Sequence, residues 1–164
     1  MNDHFHTIVS LLQAELQEYG GLLHLFDRQQ AFILHHNPEG FLELNIEVDE
    51  QIEKISHCRR DREAKVSEMA SQLGKPAEST LSALVTLFPA ALQPLIRALI
   101  EEINNLIART QRRTRQNRML LSQCVESARQ LVATVDPGAV SCTYSPYGKV
   151  DRRLNRGTFT ATLA

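Results

Sequence analysis

Apolar residues recur every three or four positions along most of this chain, and that spacing constrains the fold more than any other feature of the sequence. Over residues 4–36 they form one helical stripe, which consists of Phe5, Ile8, Leu12, Leu16, Tyr19, Leu23, Phe26 and Ile33. Glycine inside a helix costs about 1 kcal/mol relative to alanine. We therefore expect a bend or a close helix contact at Gly20 and Gly21, which lie in the middle of the stripe.

The second helix is predicted to begin after the stretch HHNPEG. Asn37 suits the N-cap and Pro38 suits the first helical position, and the short connection returns the chain antiparallel to the first helix. We predict that this helix ends near Leu73. Its seam consists of Val48, Ile52, Ile55, Val66, Met69 and Leu73. The same heptad register places Arg59 and Arg62 on the seam, where charge marks a wet or partner-facing stretch.

A short helix over about residues 79–87 and a final helix over about 90–135 complete the pattern. At 1.5 Å per residue, the final helix is expected to be roughly 65 Å long. The polar residues that interrupt its seam are Thr110, Arg113 and Asn117. The apolar residues on either side are Leu92, Ile96, Leu99, Ile103, Leu106, Leu120, Cys124 and Leu131. The predicted fold class is all-α, an elongated antiparallel bundle of three long helices plus one short helix with left-handed coiled-coil-like packing.

We divide the chain into a helical bundle domain, residues 1–136, and an irregular C-terminal tail, residues 137–164. The tail is rich in turn residues and has no helical period, although its last stretch, TFTATLA, alternates as a strand does. Hydrophobic residues make up 43% of the chain and aromatic residues only 5%. That mixture supplies a core and favours helices over sheets.

Motifs and composition argue against an enzyme, a metalloprotein and a secreted protein. The chain has no GxSxG, GxGxxG, Walker or HExxH motif, and no glutamate is followed by histidine three residues later. Cys58, Cys124 and Cys142 are an odd number at spacings unlike a zinc or redox pair. We predict no catalytic residue, no metal and no cofactor. We see no signal peptide and no apolar stretch near the roughly 20 residues of a membrane span, so we expect a cytoplasmic protein.

The stretch RTQRRTRQNRMLL carries five arginines between residues 109 and 118 and no acid, although the whole chain has a net charge of −1. In a basic-zipper protein, such a region precedes several heptads. Here fewer than three heptads follow before Pro137, and a long apolar seam comes first. We interpret the arginines as a polar neck in the final helix, with nucleic-acid binding as a minor alternative.

After the neck, the final helix carries a wide apolar face. It consists of Leu120, Leu121, Cys124, Val125, Ala128, Leu131, Val132 and Val135. Two interpretations stay open at this point: the face docks an amphipathic partner helix, or it belongs to the core.

This part of the chain resembles the C-terminal part of the FlgN-type flagellar export chaperones. The pattern combines an asparagine, a leucine pair, a trailing apolar position and a Tyr-x-x-x-Gly tail. The matching residues are Asn117, Leu120, Leu121, Leu131, Tyr144 and Gly148. The opening helical hairpin also resembles that family, whereas the glycine pair at 20–21 and residues 152–164 do not match it.

The resemblance implies a cytoplasmic all-α chaperone that binds the C-terminal segments of the hook-associated proteins and works with the flagellar export apparatus. It places partner binding at Asn117, on the apolar face, and at Tyr144 and Gly148. It implies no small-molecule substrate and no membrane insertion. The main alternative is a coiled-coil adaptor or oligomerisation protein. Whether the free protein is a monomer or a homodimer stays open.

Overall fold

The computed structural model describes residues 2–135, 140–144 and 150–154, and the side chains of residues 4–135. Within them the chain forms a helical bundle, which confirms the predicted all-α fold class. A short 3-10 turn, Val85–Leu87, follows the third helix. The helices are α1 (Asn2–Leu34), α2 (Pro38–Gln72), α3 (Leu81–Leu84) and α4 (Gln93–Val135).

The chain forms two compact units, residues 1–118 and 119–164, so their boundary lies within α4. The division expected from the sequence, at residue 136, follows the end of that helix and stays a prediction. In the second unit, β1 (Val140–Tyr144) pairs antiparallel with β2 (Val150–Leu154). The tail expected to be irregular thus contains a β-hairpin, because strands of five residues are too short to show a clear period of two. The stretch TFTATLA lies outside the described residues.

The core of the first unit forms where α1, α2, α3 and α4 meet. Phe5 of α1 packs on Phe88, with ring centroids 4.6 Å apart and planes inclined at 47°. The largest fully buried side chains in this cluster are Ile8, Leu12, Leu84, Val85 and Ile96. A second cluster between α1 and α2 consists of Leu22, Phe26, Val48 and Ile55. Burying each large side chain contributes about 1.5–3 kcal/mol, so these two clusters are the main source of stability.

The junction between α1 and α2 follows the predicted cap. Asn37 Oδ1 accepts a hydrogen bond from the Gly40 N–H at 2.9 Å. Upstream, α1 continues through the glycine pair without a break. A Cβ on Gly21 would stand 3.1 Å from Gln51 Nε2, so this glycine allows a close helix contact rather than a bend.

The heptad register predicted for α2 is wrong at Ile52, which is 44% exposed. The seam residues on either side of it, Val48 and Ile55, are buried, so the departure is local to this turn of the helix. Gln51 faces α1 instead, and its Nε2 donates to the carbonyl oxygen of Glu18 at 2.9 Å and to its carboxylate at 2.6 Å. Arg59 is also exposed, and it pairs with Glu63 at 2.8 Å.

Arg62 is the charged seam residue that turns inward. Its Nε donates to Glu15 Oε2 at 2.6 Å, and the side chains are 19% and 2% exposed, respectively. A charge removed from water is tolerated only with a close partner of opposite sign. The Glu15–Arg62 ion pair therefore joins α1 to α2 at a position of the seam that apolar side chains would otherwise fill.

We predict that Arg62→Ala lowers the free energy of unfolding by about 3 kcal/mol, because the Glu15 carboxylate is then buried without a cation. The double replacement Glu15→Leu, Arg62→Leu should recover most of this loss, since no buried charge is left unpaired. Urea denaturation followed by circular dichroism measures both effects. Arg60→Ala, at an exposed position on the same helix, is the control and should leave stability almost unchanged. A double variant as unstable as Arg62→Ala would contradict this account.

Candidate functional site

Asn117 connects α4 to the α1–α2 hairpin near the end of the first unit. It is 3% exposed, and its Nδ2 donates to the carbonyl oxygen of Phe26 at 2.8 Å and to Gln29 Oε1 at 3.0 Å. Gln29 Nε2 in turn donates to Asn45 Oδ1 at 2.8 Å. We call Gln29, Asn45 and Asn117 the amide layer. Because each residue comes from a different helix, the layer links α1, α2 and α4.

Arg113 holds α4 to α1 one turn before the amide layer. Its Nε lies 2.7 Å from Asp27 Oδ1, and its Nη1 donates to Gln30 Oε1 at 2.8 Å. Thr110, a further turn earlier, is buried. The prediction that these polar residues lie on the packed stripe of the final helix is confirmed. The remaining arginines of the neck are exposed, and they are Arg109, Arg112, Arg115 and Arg118.

Gln29 and Asn45 are the members of the amide layer that sequence reasoning does not identify. One signal for Gln29 is present, because the apolar stripe of α1 makes a single seven-residue step from Phe26 to Ile33. Gln29 lies in that gap, where a buried side chain must find hydrogen-bond partners. The sequence does not show which amides of the other helices supply them.

We predict that Asn117→Asp lowers the free energy of unfolding by about 2–3 kcal/mol near pH 7, because a buried carboxylate would then face two acceptor oxygens. The loss should become smaller near pH 4, where a protonated side chain can donate again. Urea unfolding at both pH values measures the difference. Asn105→Asp, at an exposed position of the same helix, is the matched control and should be almost neutral. Equal losses in the two variants would show that the amide layer has no such role.

The apolar face of α4, defined above over residues 120–135, lies in the second unit and is largely exposed. Its large side chains with exposures from 37% to 85% are, in rising order, Leu121, Val125, Val132, Leu131 and Val135. Leu120 and Cys124 are half-buried, and Ala128 is exposed. These residues therefore do not form a packed core. An exposed apolar patch of this kind is typical of a surface that binds another protein.

Two further residues of the predicted site lie in the tail. Tyr144 is the last residue of β1, and its side chain is outside the described part of the structure. Gly148 lies outside the described residues altogether. Their participation in partner binding stays a prediction.

The described residues offer little for covalent or metal chemistry. Burial raises the pKa of the Cys58 thiol, and the carboxylates of Glu18 and Asp61 raise it further, which disfavours the reactive thiolate. No group of three or more His, Cys, Asp or Glu side chains in this part of the chain is placed to hold a metal ion. None of the helices described has the length and hydrophobicity needed to cross a membrane.

An exposed apolar helix face of this kind can pack against an amphipathic partner helix. The FlgN protein family matches residues 1–152, and the chain belongs to this family of flagellar export chaperones. The resemblance seen in the sequence is thereby confirmed. Comparisons with curated proteins and with solved structures find no match.

Proposed function

We propose that this protein is a cytoplasmic chaperone for the hook-associated proteins. It binds their C-terminal amphipathic segments, prevents their premature association and delivers them to the flagellar export apparatus. One observation carries the proposal: in a chain of the FlgN family, the apolar face over residues 120–135 is exposed rather than packed in a core.

The physical basis of binding is the removal of two apolar surfaces from water. A client segment that is disordered before assembly exposes its apolar side chains, and packing against α4 gains about 25 cal/mol for each Å² of apolar area buried. Leu131 and Val135 are the most exposed residues of the face and offer the largest gain. The segment loses conformational entropy when it folds onto the chaperone, which keeps the affinity moderate. Moderate affinity suits a client that must be released for export.

The polar neck supports this function from the first unit. Arg113 and Asn117 attach α4 to α1, and the apolar face begins three residues later in the sequence, at Leu120. A helix that is already formed and anchored presents its apolar side chains at fixed spacing, so less entropy is lost on binding. Tyr144 and Gly148 belong to the proposed site through the family resemblance alone.

We predict that Leu121→Glu combined with Leu131→Glu abolishes client binding. Calorimetric titration with the C-terminal segments of the hook-associated proteins should give a dissociation constant of about 1 μM or tighter for the wild type. The variant should give no heat, because two carboxylates would have to be buried against the client's apolar face. Gln123→Glu combined with Gln130→Glu adds the same charge to other positions of the helix and should bind as the wild type does.

Circular dichroism must show unchanged helicity in both variants. If titration of the folded wild-type protein with either segment gives no heat of binding, the proposal is contradicted and the coiled-coil adaptor interpretation is favoured. Equal losses in the two variants would point to net charge rather than to the apolar face.

A further inference from the structure

The apolar face of α4 is wider than contact with one partner helix requires. Its residues belong to two repeats of four and three residues, which are offset from each other by one position. The first row consists of Leu120, Cys124, Ser127, Leu131 and Thr134, and the second row consists of Leu121, Val125, Ala128, Val132 and Val135. At 3.6 residues per turn, the apolar members span an arc of about 140° around the helix. The seam for a single partner helix is narrower, because it uses one such repeat.

The upstream part of α4 shows what a face of similar width packs against within this chain. Its apolar residues there, which span an arc of about 120° around the helix, are Ile96, Leu99, Ile100, Ile103, Leu106 and Ile107. Most of them pack in one cluster that also contains Leu12 of α1 and Met69 of α2. In the first unit, a face of this width therefore packs in a cluster drawn from two other long helices. The downstream face has room for two helices on the same physical grounds.

Both rows of the downstream face are exposed. Leu131 of the first row is 69% exposed, and Val125 and Val132 of the second row are 43% and 45% exposed. A single helix docked on one row would leave the apolar side chains of the other row in water. Because the gain in free energy grows with the apolar area removed from water, occupation of both rows is favoured.

The polar residues that border the two rows differ in charge. Arg129 follows Val125 by four residues and precedes Val132 by three, so it borders the second row. Arg129 is exposed, and none of the ion pairs among the described residues includes it. The residues outside the first row include the uncharged Gln123 and Gln130. The borders therefore favour an acidic partner residue beside the second row and an uncharged one beside the first.

We propose that the client binds as a helical hairpin, in which two amphipathic helices of one client chain lie side by side on the two rows. The hairpin, which rests on the client binding proposed above, specifies the form in which the client is held. The helix on the second row carries an aspartate or glutamate beside its apolar seam, and this carboxylate pairs with Arg129. The helix on the first row has uncharged polar residues at its border. Linked helices bind more tightly than separate ones, because the second docks from a high effective concentration.

The test uses the full-length protein and three probes: the C-terminal segment of a hook-associated protein, and separate peptides for the two amphipathic helices of that segment. Calorimetric titration should show one copy of the whole segment bound per chain, at least ~100-fold more tightly than either peptide. Each peptide should still bind when the other is saturating, since the rows are separate. Hydrogen exchange of the bound whole segment should show two protected helical stretches with an exchanging turn between them.

Single substitutions assign each client helix to a row. Leu131→Glu should weaken binding of one peptide at least ~10-fold, and Val125→Glu should weaken binding of the other, because a carboxylate would be buried in the corresponding seam. Arg129→Glu should weaken only the peptide that Val125→Glu affects, and a lysine in place of that peptide's acidic residue should restore binding. Arg97→Glu, at an exposed position in the first unit, is the matched control and should bind all three probes as the wild type does.

Loss of the hairpin and loss of client binding give different results. A whole segment that binds with only one protected stretch overturns the hairpin and leaves the chaperone function standing. Competition between the two peptides, or weakening of the same peptide by Leu131→Glu and by Val125→Glu, also overturns it. If no probe binds the folded wild type, the client-binding function fails and the hairpin fails with it. Circular dichroism must show unchanged helicity in each variant, and Val125→Ser replaces Val125→Glu if it does not.

Discussion

The buried amide of Asn117 is the constraint on which the arrangement of the first unit depends. A buried amide must find partners, and both acceptors of its Nδ2 lie on α1, at Phe26 and Gln29. Shifting α4 by one residue would remove both acceptors at once. Gln29 extends this hydrogen-bonded layer to α2, because its Nε2 donates to Asn45 Oδ1. The amide layer thus sets the register of three helices, which an apolar seam alone specifies less sharply.

Polar layers alternate with apolar ones in this bundle. The Glu15–Arg62 pair and the amide layer are polar, and aliphatic clusters lie between α1 and its neighbours elsewhere. Such layers contribute less stability than apolar packing of the same volume, and the use we infer for them is selection of one register. The consequence for function lies in α4. Its polar neck anchors the helix to α1, so the apolar residues after Leu120 are not needed to hold the bundle together and are largely exposed.

The net charge of −1 conceals two charged regions of opposite sign. The acids of α2 and the arginines of α4 nearly cancel in the sum, yet they occupy different helices and most of them have no ion pair among the described residues. Net charge describes solubility and long-range attraction, whereas recognition depends on where the charges lie.

The sequence by itself determined the helices, the Asn37 cap, the family, and the placement of Thr110, Arg113 and Asn117 on the packed stripe of α4. These features depend on residue spacing and capping within one segment, and both can be read directly from the amino-acid sequence. Only the tertiary structure decided that Gln51 replaces Ile52 against α1, that Gln29 and Asn45 complete the amide layer, and that the face after residue 120 is exposed. Periodicity is a property of one helix, whereas burial and hydrogen bonding between helices depend on the surface that each helix meets.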